Sequence, residues 1–261
     1  MVRLVKDGRG ISEALVSVVL FAMVVTICVS AIAYAQLNLA MQSEQTEFEN
    51  AKSSMINLAE TIESLSVSGK GAAAYVRISS KTGGIWFTKE SGTLKITVGG
   101  ETREYDVNLI RFRSNVPSAD FQVFKGVLNF KPVECLIVDQ DSSAPLGWVY
   151  LNRSLGAHVV VDFGRVRVVP TGLVNNGDNK YYLVDVAYVK ITPGSFSGVD
   201  AYNVCVKVKD LKVETITVDS QSTTIIVSRG GSTQSYSVNP GQAVDKIIVF
   251  LNVLEVEVST G

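Results

Sequence analysis

The sequence predicts an α+β chain, in which a long N-terminal hydrophobic α-helix is followed by an all-β, sandwich-like globular region. Three observations predict it. From Ala14 to Ser43 there is no charged residue, a run of about 30 positions where ~20 apolar residues suffice for a helix to cross a bilayer. No Gly or Pro falls between Ile11 and Ser68, so no strong helix breaker interrupts that stretch. From Val67 onward, runs rich in Val, Ile, Thr and Tyr are separated by Gly, Asn and Pro turn signals, which is the pattern of strands and hairpins.

Residues 1–10, MVRLVKDGRG, are short, basic and broken by glycine. Residues 11–41 are apolar all round, and residues 42–66 keep the helical period but turn polar. Phe48, Ala51, Met55, Leu58, Ala59, Ile62 and Leu65 recur at three- and four-residue intervals, forming one apolar face. Residues 11–66 therefore read as one helix of ~55 residues, about 80 Å long at 1.5 Å per residue. Gly69 and Gly71 are placed to end it.

The region 67–261 is expected to be β structure. Candidate strands are Ala73–Ser79, Ile85–Lys89, Thr93–Val98, Thr102–Phe112, Val133–Val138, Trp148–Leu151 and Ala157–Val169. Further candidates are Tyr181–Thr192, Asn203–Val208, Glu214–Val218, Thr223–Ser228, Gln234–Val238 and Lys246–Val258. Turn signals sit at 82–84, 99–100, 175–177, 230–231 and 239–241. Strands at this spacing without helical patterns between them suggest a sandwich or a pair of sandwiches. Residues 177–180, Gly-Asp-Asn-Lys, are a possible border between two sub-domains.

Composition narrows the function. Hydrophobic residues make up 46% and charged residues 19% of the 261 positions, and the net charge is −1. That balance gives no electrostatic case for nucleic acid as a partner. A single histidine, His158, speaks against histidine-based catalysis or a multi-histidine metal site. Cys28, Cys135 and Cys205 lack CxxC spacing, so no zinc or thioredoxin motif is present. Cys135 and Cys205 are either a disulfide, which an exported chain permits, or two buried thiols. Asp139-Gln-Asp141 lacks the glycine and terminal glutamate of a calcium loop and reads as a solvated turn. The Gly-Gly pairs are hairpin turns, since no Lys-Ser/Thr follows them. No enzyme activity, cofactor or metal is expected. Asn152-Arg-Ser154 is a sequon, so Asn152 is a candidate for N-glycosylation on an extracellular domain.

Three readings of the N-terminus are open on these residues. A conventional signal peptide has a 7–15-residue apolar core; this run is longer, although Ala31-Ile-Ala33 and Ala33-Tyr-Ala35 offer small-residue exits. A plain signal anchor is the second. Arg3, Lys6 and Arg9 before the run, against Glu44, Glu47 and Glu49 after it, put the N-terminus in the cytoplasm and the β region outside.

The third is sharper. Lys6-Asp-Gly-Arg-Gly10, followed by Ile11-Ser-Glu13 and the long apolar helix, resembles the class III signal of type IV pilins, above all archaeal pilins and archaellins. The resemblance covers the first 65 residues or so. It implies a prepilin peptidase cutting between Gly10 and Ile11, with Lys6 and Arg9 as the basic residues of the leader. It also implies a membrane-inserted precursor and a mature protein that joins identical subunits in an extracellular filament on the cell surface. Glu13 falls at the third mature position, as in the archaeal pattern. A buried carboxylate there is costly in lipid and calls for a partner, such as the new α-amino group of Ile11 in the same or a neighbouring subunit. The alternative is a membrane-anchored surface protein, or a minor pilin or archaellum component, that does not polymerise.

Overall fold

The computed structural model describes residues 8–79, 84–113, 121–127, 130–152, 158–177, 179–195 and 201–260. It contains one long N-terminal apolar helix followed by a strand-rich region of curled, sandwich-like sheets. Helix α1 spans Gly8–Leu65. It starts three residues earlier than expected at Ile11. Gly8 and Gly10 weaken a helix by only about 1 kcal/mol each relative to Ala, too little to stop propagation back from the run behind them. At its other end the Ser66 and Ser68 amides donate to the carbonyls of Ile62 and Leu65, and Gly71, at φ +89°, turns the chain. The Gly71 amide donates to the Val208 carbonyl and so leads into the first strand.

The contacts divide the chain into residues 1–46 and Glu47–Gly261. The second unit holds, among the described residues, thirteen strands in two sheets. They are β1 Ala73–Ser79, β2 Ile85–Val98, β3 Glu101–Arg113, β4 Phe121–Lys125, β5 Ile137–Asp139, β6 Trp148–Asn152 and β7 His158–Asp162. The rest are β8 Val166–Asn176, β9 Asn179–Pro193, β10 Ala201–Val218, β11 Thr223–Arg229, β12 Ser232–Val238 and β13 Lys246–Thr260. One sheet runs β1-β10-β13-β9-β8-β5 and the other β12-β11-β2-β3-β7-β6-β4. Neighbours are antiparallel except β13 with β9 and β5 with β8.

Period-2 alternation explains how these sheets serve two cores. On β13, Ile247, Val249, Leu251 and Val253 point into one cluster, while Leu254, Val256 and Val258 point from the opposite face into another. On β9, Val184, Val186 and Tyr188 divide from Val189 and Ile191 in the same way. Both faces of these strands are thus covered, each along part of its length. The short strands β6 and β7 are covered on both faces at once. Val149, Leu151, Val159 and Val161 face the first core, and Trp148, Tyr150 and Val160 the second. That double burial is why they read as unbroken apolar runs.

Several expectations change. Ile85–Lys89 and Thr93–Val98 are one strand, β2, with a register shift between Lys89 and Thr93. Asn203–Val208 and Glu214–Val218 are likewise one strand, β10, shifted between Val208 and Asp210. In β10 the single extra residue reverses the face parity, so its halves read as separate strands; in β2 two extra residues around Ser91-Gly92 interrupt the β-rich pattern without changing the parity. Val133–Val138 is not a strand. Pro132 opens a single 3-10 turn, Pro132–Glu134, capped by the Lys131 amide donating to Glu134 Oε2 at 2.8 Å, and only Ile137–Asp139 pairs. Ala157–Val169 is two strands in different sheets. The chain breaks at Phe163-Gly164-Arg165, where the Gly164 amide donates to Asp162 Oδ1 at 2.7 Å; Ala157 lies outside the described residues. β4 was not anticipated. β8 and β9, on either side of position 178, are antiparallel neighbours in one sheet with Asn176 opposite Asn179, and each sheet draws strands from both sides of that point. The turn signal at 82–84 lies outside the described residues except for Gly84.

Candidate functional site

The features that bear on function are the exposed apolar part of α1 and the seat of its amphipathic end. From Leu15 to Met41 the large apolar side chains are exposed, Phe21 at 71% and Ile27 at 68%. The stretch is long and apolar enough to cross a membrane, and none of its most hydrophobic window is buried. Water exposure of so many large apolar groups is unfavourable by about 25 cal/mol per Å², so this surface requires lipid or protein around it. Small residues lie along it, including Ala22, Ser30, Ala31, Ala33 and Ala35.

The second part of the helix is built differently. All seven residues of the face read from the sequence, Phe48, Ala51, Met55, Leu58, Ala59, Ile62 and Leu65, are buried in the first core. They meet side chains of both sheets there, among them Ile110, Val159, Val206 and Val256. Polar contacts fix the rotation of the helix on this seat. Glu63 accepts a hydrogen bond from the Gly147 amide at 2.7 Å and an ion pair from Lys125 Nζ at 2.7 Å. The phenyl ring of Phe124 packs edge-on to Phe48 at 6.0 Å, and Lys52 sits 5.1 Å from its centroid. Beside the helix end lies a groove of about 490 Å³, bounded by Glu63, Val67, Leu146, Tyr188, Leu211 and Leu254. Its lining is mainly apolar, with Glu63, Ser66, Ser143, Arg167 and Asn252 as polar members.

The junction between Gly10 and Ile11 lies in the first turns of α1, in helical backbone with Arg9 and Glu13. Lys6 lies outside the described residues. Asn152 ends β6, paired with Phe121 on β4 and His158 on β7, and is half-buried; Arg153 and Ser154 of its sequon lie outside the described residues. Cys28, Cys135 and Cys205 are all free thiols, so Cys135 and Cys205 do not form a disulfide. Cys135 packs against the second core, and burial pushes its thiol pKa up. Among the described residues no group of three or more His, Cys, Asp or Glu side chains could hold a metal ion.

A buried charge cluster was not foreseen. Arg229, at the end of β11, donates to both oxygens of Asp162 at 3.0 and 2.8 Å, to Glu90 at 2.6 Å and to the Gly164 carbonyl at 3.1 Å. Asp162 and Arg229 are both buried. Burial alone would lower the pKa of Arg229, but Asp162 and Glu90 outweigh it and hold it above the usual arginine value. Burial raises Glu90, partly offset by Arg229. Nearby, Arg165 stacks 5.0 Å from the Trp148 ring and donates to the carbonyls of Cys135 and Pro145; burial pushes its pKa down to about 10. These contacts are structural, and beside them Trp148 Nε1 is buried without a hydrogen-bond partner among the described residues. In the sequence, Arg229 stands beside a Gly-Gly turn and looks like a surface residue, so no local signal marked it.

Compared with protein families, with curated proteins and with solved structures, the chain matches none.

Proposed function

We propose that this chain is the precursor of a structural subunit of a type IV pilus-like cell-surface or adhesion filament, without enzymatic activity. Prepilin peptidase cuts it between Gly10 and Ile11, with Lys6 and Arg9 in the recognised leader. The precursor sits in the membrane with its N-terminus cytoplasmic. The mature chain then joins identical subunits outside the cell through residues 11–41. Glu13 pairs with the freed amino group at Ile11.

One observation carries the reading: a single helix changes from apolar and exposed all round to buried along one face. A plain anchor needs only the first part. A subunit that must hold a globular domain firmly on a shared helical core needs both. The small side chains of the first part permit close helix approach once lipid contacts are exchanged for helix contacts.

N-terminal sequencing of the protein from its native membrane and sheared surface fraction tests the proposal. The expected result is a chain that starts at Ile11 and is abundant in filaments seen by electron microscopy. Replacing Gly10 by Val should leave the start at Met1 and abolish filaments. A wild-type chain starting at Met1, confined to membranes, would overturn the proposal in favour of a non-polymerising anchored surface protein.

A further inference from the structure

One corner of the second sheet is unlike the rest of the surface. β2 begins, β3 ends and β7 begins at the same end of that sheet, and the register brings four chemistry-bearing side chains onto one face. Trp86 is opposite Arg111, and Arg113 is opposite His158. Directly opposed residues lie about 4.5–5.5 Å apart at Cβ, and diagonal ones about 7–8 Å, so the four form one cluster. The Trp86 and His158 rings meet edge to face, with centroids 4.7 Å apart.

Several cations of the domain are ion-paired, such as Lys89 with Asp106, Lys95 with Glu104, Arg103 with Glu101 and Glu214, and Arg229 with Asp162 and Glu90, whereas Arg165 and Arg167 donate to backbone carbonyls. Arg111 and Arg113 have no carboxylate partner among the described residues. Glu90, the carboxylate within electrostatic reach of Arg111, is held by Arg229 at 2.6 Å. Arg111 Nε and His158 Nδ1 are buried without a hydrogen-bond partner among the described residues. Tyr105 Oη and Trp148 Nε1 share that state elsewhere in the domain, so it is the clustering of the two arginines with His158 that distinguishes this corner. Two arginines without a carboxylate, set beside a histidine and an aromatic ring on one sheet face, favour a negatively charged ligand.

The geometry points to an oxyanion-binding site formed by Arg111, Arg113 and His158 with Trp86 as its aromatic wall. The two guanidinium groups offer forked donors that match the paired oxygens of a carboxylate or sulfate. The Trp86 ring adds an apolar surface suited to a sugar carrying that group. The source of the oxyanion is either a free anion or an acidic saccharide. Electrostatics agree with the placement. Burial first, then Arg111 and Arg113, lowers the pKa of His158; an anion bound among them would reverse the repulsion.

His158 is the single histidine of the chain, so its imidazole gives one assignable proton NMR signal in the full-length protein in detergent. Sodium sulfate and sodium glucuronate are titrated at constant ionic strength against chloride. The expected result is a saturable shift of that signal and a rise in its titration midpoint with at least one of the two. Comparable binding of both identifies a free oxyanion as sufficient. Glucuronate binding at least tenfold tighter, with the preference lost in Trp86→Ala, identifies a saccharide. Arg113→Gln changes an exposed side chain and should weaken binding at least tenfold; Arg111→Gln should do the same. No saturable response beyond the chloride control, or an undiminished response in folded Arg113→Gln, would overturn the assignment.

Discussion

At the residue scale the decisive contacts are Arg229 with Asp162 and the glycine beside them. An ideal Cβ on Gly164 would lie 2.2 Å from Arg229 Nη1, and that guanidinium is pinned by two carboxylates and a carbonyl, so it cannot swing away. Gly164→Ala should therefore cost about 1–3 kcal/mol through overpacking. Arg229→Met leaves Asp162 buried and uncompensated and should cost about 3–5 kcal/mol. Urea unfolding of the full chain in detergent measures both; equal stability of Arg229→Met and wild type would show that the cluster does not matter. His158 supplies a pH signature. Its folded pKa lies below the usual 6.5, so the unfolded state binds the proton first as pH falls. Its stabilising contribution is complete above 6.5 and is lost as pH falls from there through the lower folded value. His158→Gln should remove that part of the stability–pH slope, as read by melting temperature between pH 7 and pH 5.

At the element scale α1 has two parts with separable roles. Leu58 is fully buried in the seat, whereas Leu20 is 57% exposed. Leu58→Ala should destabilise the β unit by about 2–5 kcal/mol. Leu20→Ala should leave that unit within about 0.5 kcal/mol of wild type; denaturant midpoints distinguish the two. Glu63→Ala removes the acceptor of the Gly147 amide and the partner of Lys125, and should cost about 1–3 kcal/mol. Among the strands, the bulge in β10 sets which core each half faces: Val204, Val206 and Val208 meet the first core and Ile216 the second. The alternation within each half was readable, but the join was not, because a bulge breaks the period that identifies a strand.

At the scale of the whole molecule the division at residues 46 and 47 differs from the change of composition near residue 67. The fragment Glu47–Gly261 keeps the seven helical residues that complete the first core. It should be soluble and unfold cooperatively. A fragment beginning at Val67 strips that face and exposes Ile110, Val159, Val206 and Val256, which pack in the same core, so it should aggregate or fail to melt cooperatively. Gel filtration and calorimetry of the two fragments decide this. If the shorter fragment matched the longer in melting temperature, the helix would be a passenger rather than part of the domain.

The sequence by itself determined the helix, its exposed and seated parts, the seven residues of the buried face and most strand positions. Those follow from local periodicity, and short-range sterics and burial enforce a period of 3.6 or 2 wherever the chain lies. Only the tertiary structure decided which strands share a sheet, where Asp162-Phe-Gly-Arg165 breaks one apparent strand into two, and that Cys135 and Cys205 stay apart. It alone brought Arg229 to Asp162 across 67 positions and to Glu90 across 139. Such pairings are set by the burial of whole faces against distant partners. A charged residue beside a turn reads the same in the sequence whether it ends in water or in a core.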